Sequence, residues 1–297
     1  MNRTNFNPDS CWQYEIKTKT APEDLEVYDS SYIPLNLNEV KFSFIDKSNV
    51  ETCRKIVHFI ERYEWLGKLP VWVTHRFIAE YGVVMIGAVI MSTPNRFSCL
   101  LGEDYKNKEK LIARGASISF APKNTASWLI MNSIRWMVKN TPFRIFTAYA
   151  DPMAGELGTI YQACNFYYLG QSYGGGYIYI NPETEEWYGS SYFSQRSVIK
   201  RAAIEAGISW KPEYIKSNKS GSKRIINWNG MLNGTKEAIK DAVKLYKNKF
   251  IKVKSKKKHK YVYILGKTKG ETLMLRGMFE DLHPNLAKLS YPKDRGI

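Results

Sequence analysis

The sequence has little of what marks secreted and membrane proteins. It holds only 4 cysteines in 297 residues, and none stands in a C-x-x-C pair, so neither a disulfide framework nor a zinc motif is indicated. The longest apolar run, residues 81–91, is about half as long as a membrane-spanning helix. The first residues lack the apolar core of a signal peptide. We therefore expect a protein of a reducing cytoplasm without a membrane partner.

Acidic residues are scarce only in the last third of the chain. Residues 1–195 carry 19 Lys+Arg against 20 Asp+Glu, whereas residues 196–297 carry 25 against 8. A nearly neutral segment followed by a strongly basic one is typical of proteins that bind polyanions. The densest run, residues 247–260, leads into an aromatic strand pattern, which suits phosphate contact and base stacking; a solvated charged face is the plainer alternative. The predicted DNA contacts are Lys252, Lys254, Lys256, Lys257, Lys258, Lys260 and Arg201.

The hydrophobic periodicity predicts an α/β protein with a mixed sheet. The expected elements are a helix at 46–65, a hairpin at 72–80 and 83–92, a strand within 110–120, a helix at 125–139, a strand at 143–149, a short helix at 159–165 and strands at 166–169 and 177–181. Residues 1–35 are expected to form an irregular arm and residues 36–195 the catalytic domain. Residues 196–297 are expected to form a basic DNA-binding region, mostly helical at 194–207, 236–250 and 268–283.

This order of elements resembles the N-acetyltransferase superfamily, so the expected sheet is acetyltransferase-like and flanked by helices. That family places a glycine-rich turn, which holds the pyrophosphate of coenzyme A, between the central strand and its helix. Here residues 121–126 contain no glycine, and Pro122 removes one backbone donor. We therefore do not expect acetyl-CoA to bind. Lys123 is either a phosphate contact or an exposed loop lysine.

Polar residues stand where the predicted strands and helices end. Arg114 lies on the central strand, where it forms either a buried ion pair or an anchor for an anionic group. Asp151 follows a strand, where α/β sheets place their sites, and Tyr161 lies on the next short helix. Glu64 could act as a base between two stacking aromatics. The further substrate contacts that we expect are Tyr63, Trp65, Ser117, Ser119, Tyr149 and Asn165.

Residues 63–170 resemble the Mom-type DNA modification proteins of bacteriophages. The resemblance rests on Arg114 with its serine-rich strand, the glycine-free turn, and Asp151 with Tyr161 ten residues later. It implies a transferase that converts adenine in phage DNA to an N6-carbamoylmethyl form, which protects the DNA from host restriction in the bacterial cytoplasm. The arginine, aspartate and tyrosine are functional in that family, which implies these roles for Arg114, Asp151 and Tyr161.

The resemblance also implies an iron requirement, with Asp151 as the candidate ligand, and double-stranded DNA as the partner. The family tends to have a histidine-tyrosine pair where this chain has Tyr63-Glu64-Trp65. The donor of the transferred group and the oligomeric state, monomer or homodimer, stay open. Two other functions also stay open: a coenzyme A-dependent acyltransferase acting on a small amine or a protein, and a non-catalytic DNA-binding phage protein.

Overall fold

The chain forms two compact units in the computed structural model, which describes residues 10–28, 36–172, 176–217 and 224–293. The core unit consists of residues 10–28, 36–172 and 257–293. The inserted unit consists of residues 176–217 and 224–256. The boundary expected at residue 195 differs from this division, because it falls inside the inserted unit and because the last part of the chain returns to the core unit.

The helices and strands follow the predicted order closely. The core unit contains α1 (Trp12–Val27), β1 (Lys41–Ile45), α2 (Val50–Tyr63), β2 (Val73–Tyr81), β3 (Val84–Ser92), β4 (Glu109–Ser117), α3 (Thr125–Asn140), β5 (Ile145–Ala150), α4 (Thr159–Ala163), β6 (Tyr167–Gln171), β12 (His259–Ile264), α7 (Lys269–Leu282) and α8 (Pro284–Ala287). The inserted unit contains β7 (Tyr177–Ile180), β8 (Trp187–Gly189), α5 (Arg196–Glu205), β9 (Ile215–Ser217), β10 (Arg224–Ile226), α6 (Asn233–Asn248) and β11 (Ile251–Lys254).

A seven-stranded mixed sheet organises the core unit, in the order β1-β2-β3-β4-β5-β12-β6. Only β4 and β5 run parallel, and they pair along Glu109–Ile112 and Ile145–Ala148. Beyond that point β4 continues to Ser117 beside β3, while β5 continues to Ala150 beside β12. The carboxyl ends of β4 and β5 therefore separate.

Two amphipathic helices cover this sheet. The predicted apolar stripe of α2 is buried at Ile56, Phe59, Ile60 and Tyr63, and that of α3 at Leu129, Ile130, Ile134 and Met137. Asn49 caps α2 by accepting a hydrogen bond from Thr52 N at 3.1 Å. Asn124 stands at the start of α3 in a left-handed conformation, and its side chain makes no capping hydrogen bond.

The first described segment is a helix rather than an irregular arm. The buried face of α1 repeats every fourth residue, at Trp12, Ile16, Thr20 and Asp24. Only half of these positions are apolar, so the sequence shows no hydrophobic stripe. Pro22 within the helix also argues against a helical prediction. The rest of the expected arm, residues 1–9 and 29–35, lies outside the described residues. The prediction also lacks β1, because a run of five residues gives a weak periodic signal.

The strand β12 returns from the basic last third to the centre of the sheet. It pairs antiparallel with β5 on one side and β6 on the other. Tyr261 and Val262 point to opposite faces, and both are fully buried, as a strand covered on both sides requires. The helix α7 packs on this strand through Leu275 and Phe279. Residues 257–293 are thus part of the core unit and not of a separate helical region.

The inserted unit combines a three-stranded sheet, β11-β7-β8, with the packed helices α5 and α6. An aromatic cluster that includes Tyr179, Phe193 and Phe250 forms one part of its core, and Ile199, Ile226 and Ile239 belong to another. The strands β9 and β10 form a small antiparallel pair. Residues 218–223 lie outside the described residues. No helix in the described parts of either unit is long and apolar enough to cross a membrane.

Candidate active site

Arg114 and Glu64 form an ion pair where β4 leaves β5. Arg114 Nε lies 3.6 Å from Glu64 Oε2 and donates a hydrogen bond to the carbonyl oxygen of Lys68 at 2.7 Å. Glu64 follows the last residue of α2, and its Oε2 accepts hydrogen bonds from Leu66 N at 2.8 Å and Gly67 N at 3.0 Å. Of the two alternatives for Arg114, the structure therefore shows the ion pair. This pair fixes the position of both side chains.

Asp151 lies at the carboxyl end of β5, as predicted. Its Oδ1 accepts a hydrogen bond from Met153 N at 3.0 Å, which starts a short 3-10 turn. Its Oδ2 lies 2.7 Å from Lys258 Nζ. Lys258 directly precedes β12, so the arrangement of β5 next to β12 brings this lysine to the aspartate.

Glu156 joins these residues, although the sequence analysis does not single it out. Its Oε2 accepts a hydrogen bond from Asp151 N at 3.3 Å, and its own N–H donates to the carbonyl oxygen of Asp151 at 3.2 Å. Burial, together with the charges of Glu64 and Asp151, raises the pKa of Glu156 to about 7, while the hydrogen bond from Asp151 N and the charge of Lys258 oppose the rise. Its position as the only acid between Asp151 and Tyr161 is the signal that could have identified it.

Tyr161 faces the same carboxylates from α4. Burial raises the pKa of its phenol, and the charges of Glu156 and Glu64 add to the effect, so the hydroxyl stays protonated and can donate a hydrogen bond. Its ring packs 5.3 Å from that of Phe166 and 5.4 Å from that of Tyr261. Gly158 lets α4 approach β12 this closely, because a Cβ there would collide with the Tyr261 ring.

The structure therefore brings together all four residues predicted as catalytic. We call the set the strand-end cluster; it consists of Glu64, Arg114, Asp151, Glu156, Tyr161 and Lys258. Three carboxyl groups share the cluster with two cations, and their charges add to burial, the main cause of the raised pKa of Glu156. Such a cluster can accept a proton, donate one, and orient a polar substrate.

Tyr63 and Trp65 do not form the predicted stacking platform. Tyr63 is 4% exposed and donates a hydrogen bond to Asp24 Oδ1 at 2.6 Å. Trp65 is 3% exposed and packs edge-to-face on Trp12, with ring centroids 5.0 Å apart. Both rings are buried against α1, a helix that the sequence does not predict, so neither can stack on a base.

The other predicted substrate contacts are dispersed. Ser117 is buried at the end of β4, and Ser119 Oγ donates a hydrogen bond to Asp24 Oδ2 at 2.7 Å. Lys123 is exposed in the turn before α3. Tyr149 is 39% exposed on β5, one residue before the end of that strand. Asn165 is exposed with a positive φ of 58° after α4, a conformation that asparagine tolerates, which explains the residue without a substrate.

The predicted DNA contacts divide between the two units. Lys252, Lys254 and Lys256 are exposed in the inserted unit, where Lys252 Nζ lies 3.9 Å from the centre of the Tyr177 ring. A hydrogen bond with Tyr246 raises the pKa of Arg201 on α5. In the core unit, Lys257 is exposed, Lys258 pairs with Asp151, and Lys260 Nζ lies 5.9 Å from the centre of the Tyr149 ring.

The strand-end cluster does not fit the iron that the resemblance implies. Lys258 and Met153 N engage the two oxygens of Asp151, and Arg114 with two backbone amides engages Glu64. Iron sites of this type usually include histidine, and no histidine belongs to the cluster. Within residues 10–28, 36–172, 176–217 and 224–293, no three His, Cys, Asp or Glu residues are grouped so that they could hold a metal ion.

Along the chain α3 connects the parallel strands β4 and β5, which separate at their carboxyl ends. This connection and the strand order define the N-acetyltransferase fold, so the predicted fold class is confirmed. The model of the Mom protein family matches residues 68–293. The chain therefore belongs to the Mom protein family, as the resemblance predicts. No curated protein matches the sequence.

Solved structures with similar folds are acetyltransferases of low sequence identity. The putative acetyltransferase yncA from Salmonella typhimurium with acetyl-CoA is 12% identical, with a TM-score of 0.33, over 44% of this chain and 82% of that chain. The ribosomal L7/L12 alpha-N-protein acetyltransferase RimL is 10% identical, with a TM-score of 0.37, over 79% and 98%. A Bacillus subtilis acetyltransferase in complex with CoA is 10% identical, with a TM-score of 0.33, over 76% and 99%.

Proposed function

We propose that this protein is a DNA-modifying transferase that adds a carbamoylmethyl-type group to the N6 amine of adenine. The observation that carries the proposal is the strand-end cluster in a chain of the Mom protein family. A nucleobase amine conjugated into its ring is a weak nucleophile, so a proton acceptor must act while the new bond forms. The cluster offers carboxyl groups for this task where the carboxyl ends of β4 and β5 separate.

Glu156 is the residue that we assign as the proton acceptor. Its pKa of about 7 lies near the working pH, which is the range in which a general base is most effective. Asp151 is held by Lys258 at 2.7 Å and holds Glu156 in turn through its backbone N–H at 3.3 Å. We therefore assign Asp151 to the positioning of the acceptor.

Tyr161 and Arg114 complete the assignment. The phenol of Tyr161 remains protonated because burial and two nearby carboxylates raise its pKa, so it can donate a hydrogen bond to the transferred group. Arg114 is bound to Glu64 and to the Lys68 carbonyl oxygen, which suits the orientation of a polar group better than the capture of a mobile anion.

The charge of the inserted unit supports DNA as the substrate. Residues 174–256 carry 16 Lys+Arg against 7 Asp+Glu, and several of the lysines, including Lys252, Lys254 and Lys256, are exposed. Contacts from such side chains to phosphates supply affinity that does not depend on base sequence. A target adenine must leave the base stack before its N6 amine can reach an enzyme cleft.

The proposed activity can be tested by mass spectrometry of nucleosides from plasmid DNA. The intact chain and the Glu156→Gln variant are expressed in separate cultures, and the DNA from each is digested. The intact chain is expected to convert part of the deoxyadenosine to its N6-carbamoylmethyl form, and Glu156→Gln to convert far less. Unmodified adenine in the presence of folded, soluble intact chain would contradict the proposal.

A further inference from the structure

A cavity of about 540 Å³ lies entirely within the inserted unit and takes no part in the strand-end cluster. Residues from α5, α6 and β10 line it, together with the segments that flank α5 and β10. Its volume falls in the range of pockets that bind small organic ligands. The residues that line it include cationic and apolar side chains, and the combination indicates which class of ligand would bind.

The first kind is cationic. Arg196, Arg224 and Lys240 line the cavity, and none of its lining residues is acidic. Lys240 has a partner outside the lining, Glu237, at 3.0 Å. Arg196 and Arg224 make no ion pair with any residue that the structure describes. Two arginines without a carboxylate partner beside one cavity indicate an anionic ligand, and arginine is the side chain that binds phosphate oxygens in a bidentate manner.

The second kind is apolar and includes a large flat ring. Trp228, Ile225 and Phe193 line the same cavity. Trp228 is only partly buried, and Ile225 is 41% exposed, so both offer apolar surface to a ligand. Inorganic phosphate alone would leave this surface in contact with water. A planar base stacked on an indole ring would cover it.

We propose that this cavity binds a nucleotide, with the phosphate on Arg196 and Arg224 and the base against Trp228. The same chemistry is present in a free nucleotide and in one unstacked residue of a nucleic-acid strand, and the experiment below distinguishes the two. The site requires no transferase activity, so its failure would leave the proposed function standing, and the reverse also holds.

Binding is measured by calorimetry with the full chain and three probes: dAMP, an oligodeoxyadenylate of about six nucleotides, and inorganic phosphate. The double variant Arg196→Gln/Arg224→Gln removes two charges that line the cavity. Its matched control, Lys200→Gln/Lys244→Gln, removes two exposed charges from α5 and α6 that do not line it. We expect the first variant to weaken nucleotide binding by about 10-fold or more, and the control to have a much smaller effect.

The Trp228→Leu variant distinguishes the contribution of the base to binding from that of the phosphate. It is expected to weaken dAMP or oligonucleotide binding by about 10-fold and to leave inorganic phosphate unaffected. Tight dAMP binding assigns the site to a free nucleotide, whereas binding of the oligonucleotide alone assigns it to a strand. Equal losses in the cavity variant and its control would overturn the proposal, since general charge attraction would then explain the binding. Failure of the intact chain to bind dAMP and the oligonucleotide would also overturn it.

Photo-crosslinking gives a second measurement that needs no variant. The intact chain is irradiated with an oligonucleotide that carries 5-bromodeoxyuridine, and the crosslinked peptides are identified by mass spectrometry. The expected product is a peptide that contains Trp228 or Phe193. Crosslinks confined to peptides that do not line the cavity would refute its assignment to a nucleic-acid strand, and without dAMP binding they would overturn the proposal.

Discussion

Lys258 Nζ lies 2.7 Å from Asp151 Oδ2, so a lysine of the densest basic run is part of the candidate active site. The sequence alone places Lys258 among the predicted DNA contacts. In the folded chain it pairs with Asp151 instead, because β12 lies beside β5. The pair leaves Asp151 with a cation on one oxygen and the Met153 amide on the other. Lys258 therefore positions Asp151, which in turn holds Glu156.

The Lys258→Gln variant tests the role of the Lys258–Asp151 ion pair, with a variant of the neighbouring Lys257 as its control. We expect the variant to reduce DNA modification by about 10-fold, because a buried carboxylate that loses its cation must find another arrangement. Lys257→Gln removes the same charge from an exposed side chain and is expected to keep nearly full activity. Lys257→Gln should weaken DNA binding more than Lys258→Gln, measured by fluorescence anisotropy, because Lys258 already pairs with Asp151. Equal activity of the two variants would show that the ion pair has no role in the reaction.

Tyr161→Phe keeps the ring and removes only the hydroxyl group. We expect a loss of about 100-fold or more in the rate of adenine modification, which is the scale of a lost proton donor, with unchanged thermal unfolding. Tyr263→Phe is the matched control, since that ring also packs on Phe166 but does not belong to the strand-end cluster. A normal rate in Tyr161→Phe would remove this residue from the mechanism.

Glu156→Gln is expected to change how stability depends on pH. The pKa of Glu156 rises from 4.5 to about 7 in the folded chain, so between these values the folded state holds a proton that the unfolded state has released. The free energy of unfolding of the intact protein should therefore fall as pH rises through this interval, by up to about 3 kcal/mol. The variant should lack this fall. Urea unfolding at about pH 5 and about pH 8 measures it, and parallel profiles would be the contrary result.

DNA affinity is expected to depend on the inserted unit. Ser172 N donates to the carbonyl oxygen of Lys258 at 2.8 Å, and Lys258 N donates to Ser172 Oγ at 3.1 Å. A short glycine-serine linker can therefore replace residues 174–256 without distorting the core unit. We expect the shortened chain to fold, to bind duplex DNA weakly, and to show a smaller salt dependence than the intact chain. An unchanged salt slope would place the phosphate contacts in the core unit.

Acetyl-CoA is not expected to bind tightly in the turn before α3. In addition to the missing glycines, Ala121 N and Thr125 N already donate to the carbonyl oxygens of Ile118 at 3.3 Å and Pro122 at 3.1 Å. Few backbone donors remain for a pyrophosphate. Calorimetry should detect at most weak binding, and a micromolar dissociation constant would instead favour a coenzyme A-dependent acyltransferase.

The predicted elements of the core unit are largely correct because strong periodic patterns encode them. The apolar stripe of α2 and the continuous apolar run of β3 are visible without tertiary information. The role of Tyr63 is not visible, because its partner Asp24 lies 39 residues earlier in the chain. Glu156 is missed for a related reason: its pKa depends first on its burial and then on charges such as that of Glu64, and only the fold creates both.

The place of β12 also determines when the sheet can be completed during synthesis on the ribosome. Residues 259–264 lie between β5 and β6, although more than eighty residues separate them from the end of β6. Until they emerge, β5 lacks its antiparallel neighbour and β6 lacks its only partner in the sheet. The inserted unit is complete before that moment and can fold first. Pairing over such sequence separations is slow. The edges of β5 and β6 that later pair with β12 therefore stay exposed in the nascent chain until β12 has been synthesised. A ribosome stall within residues 177–254 would prolong that exposure.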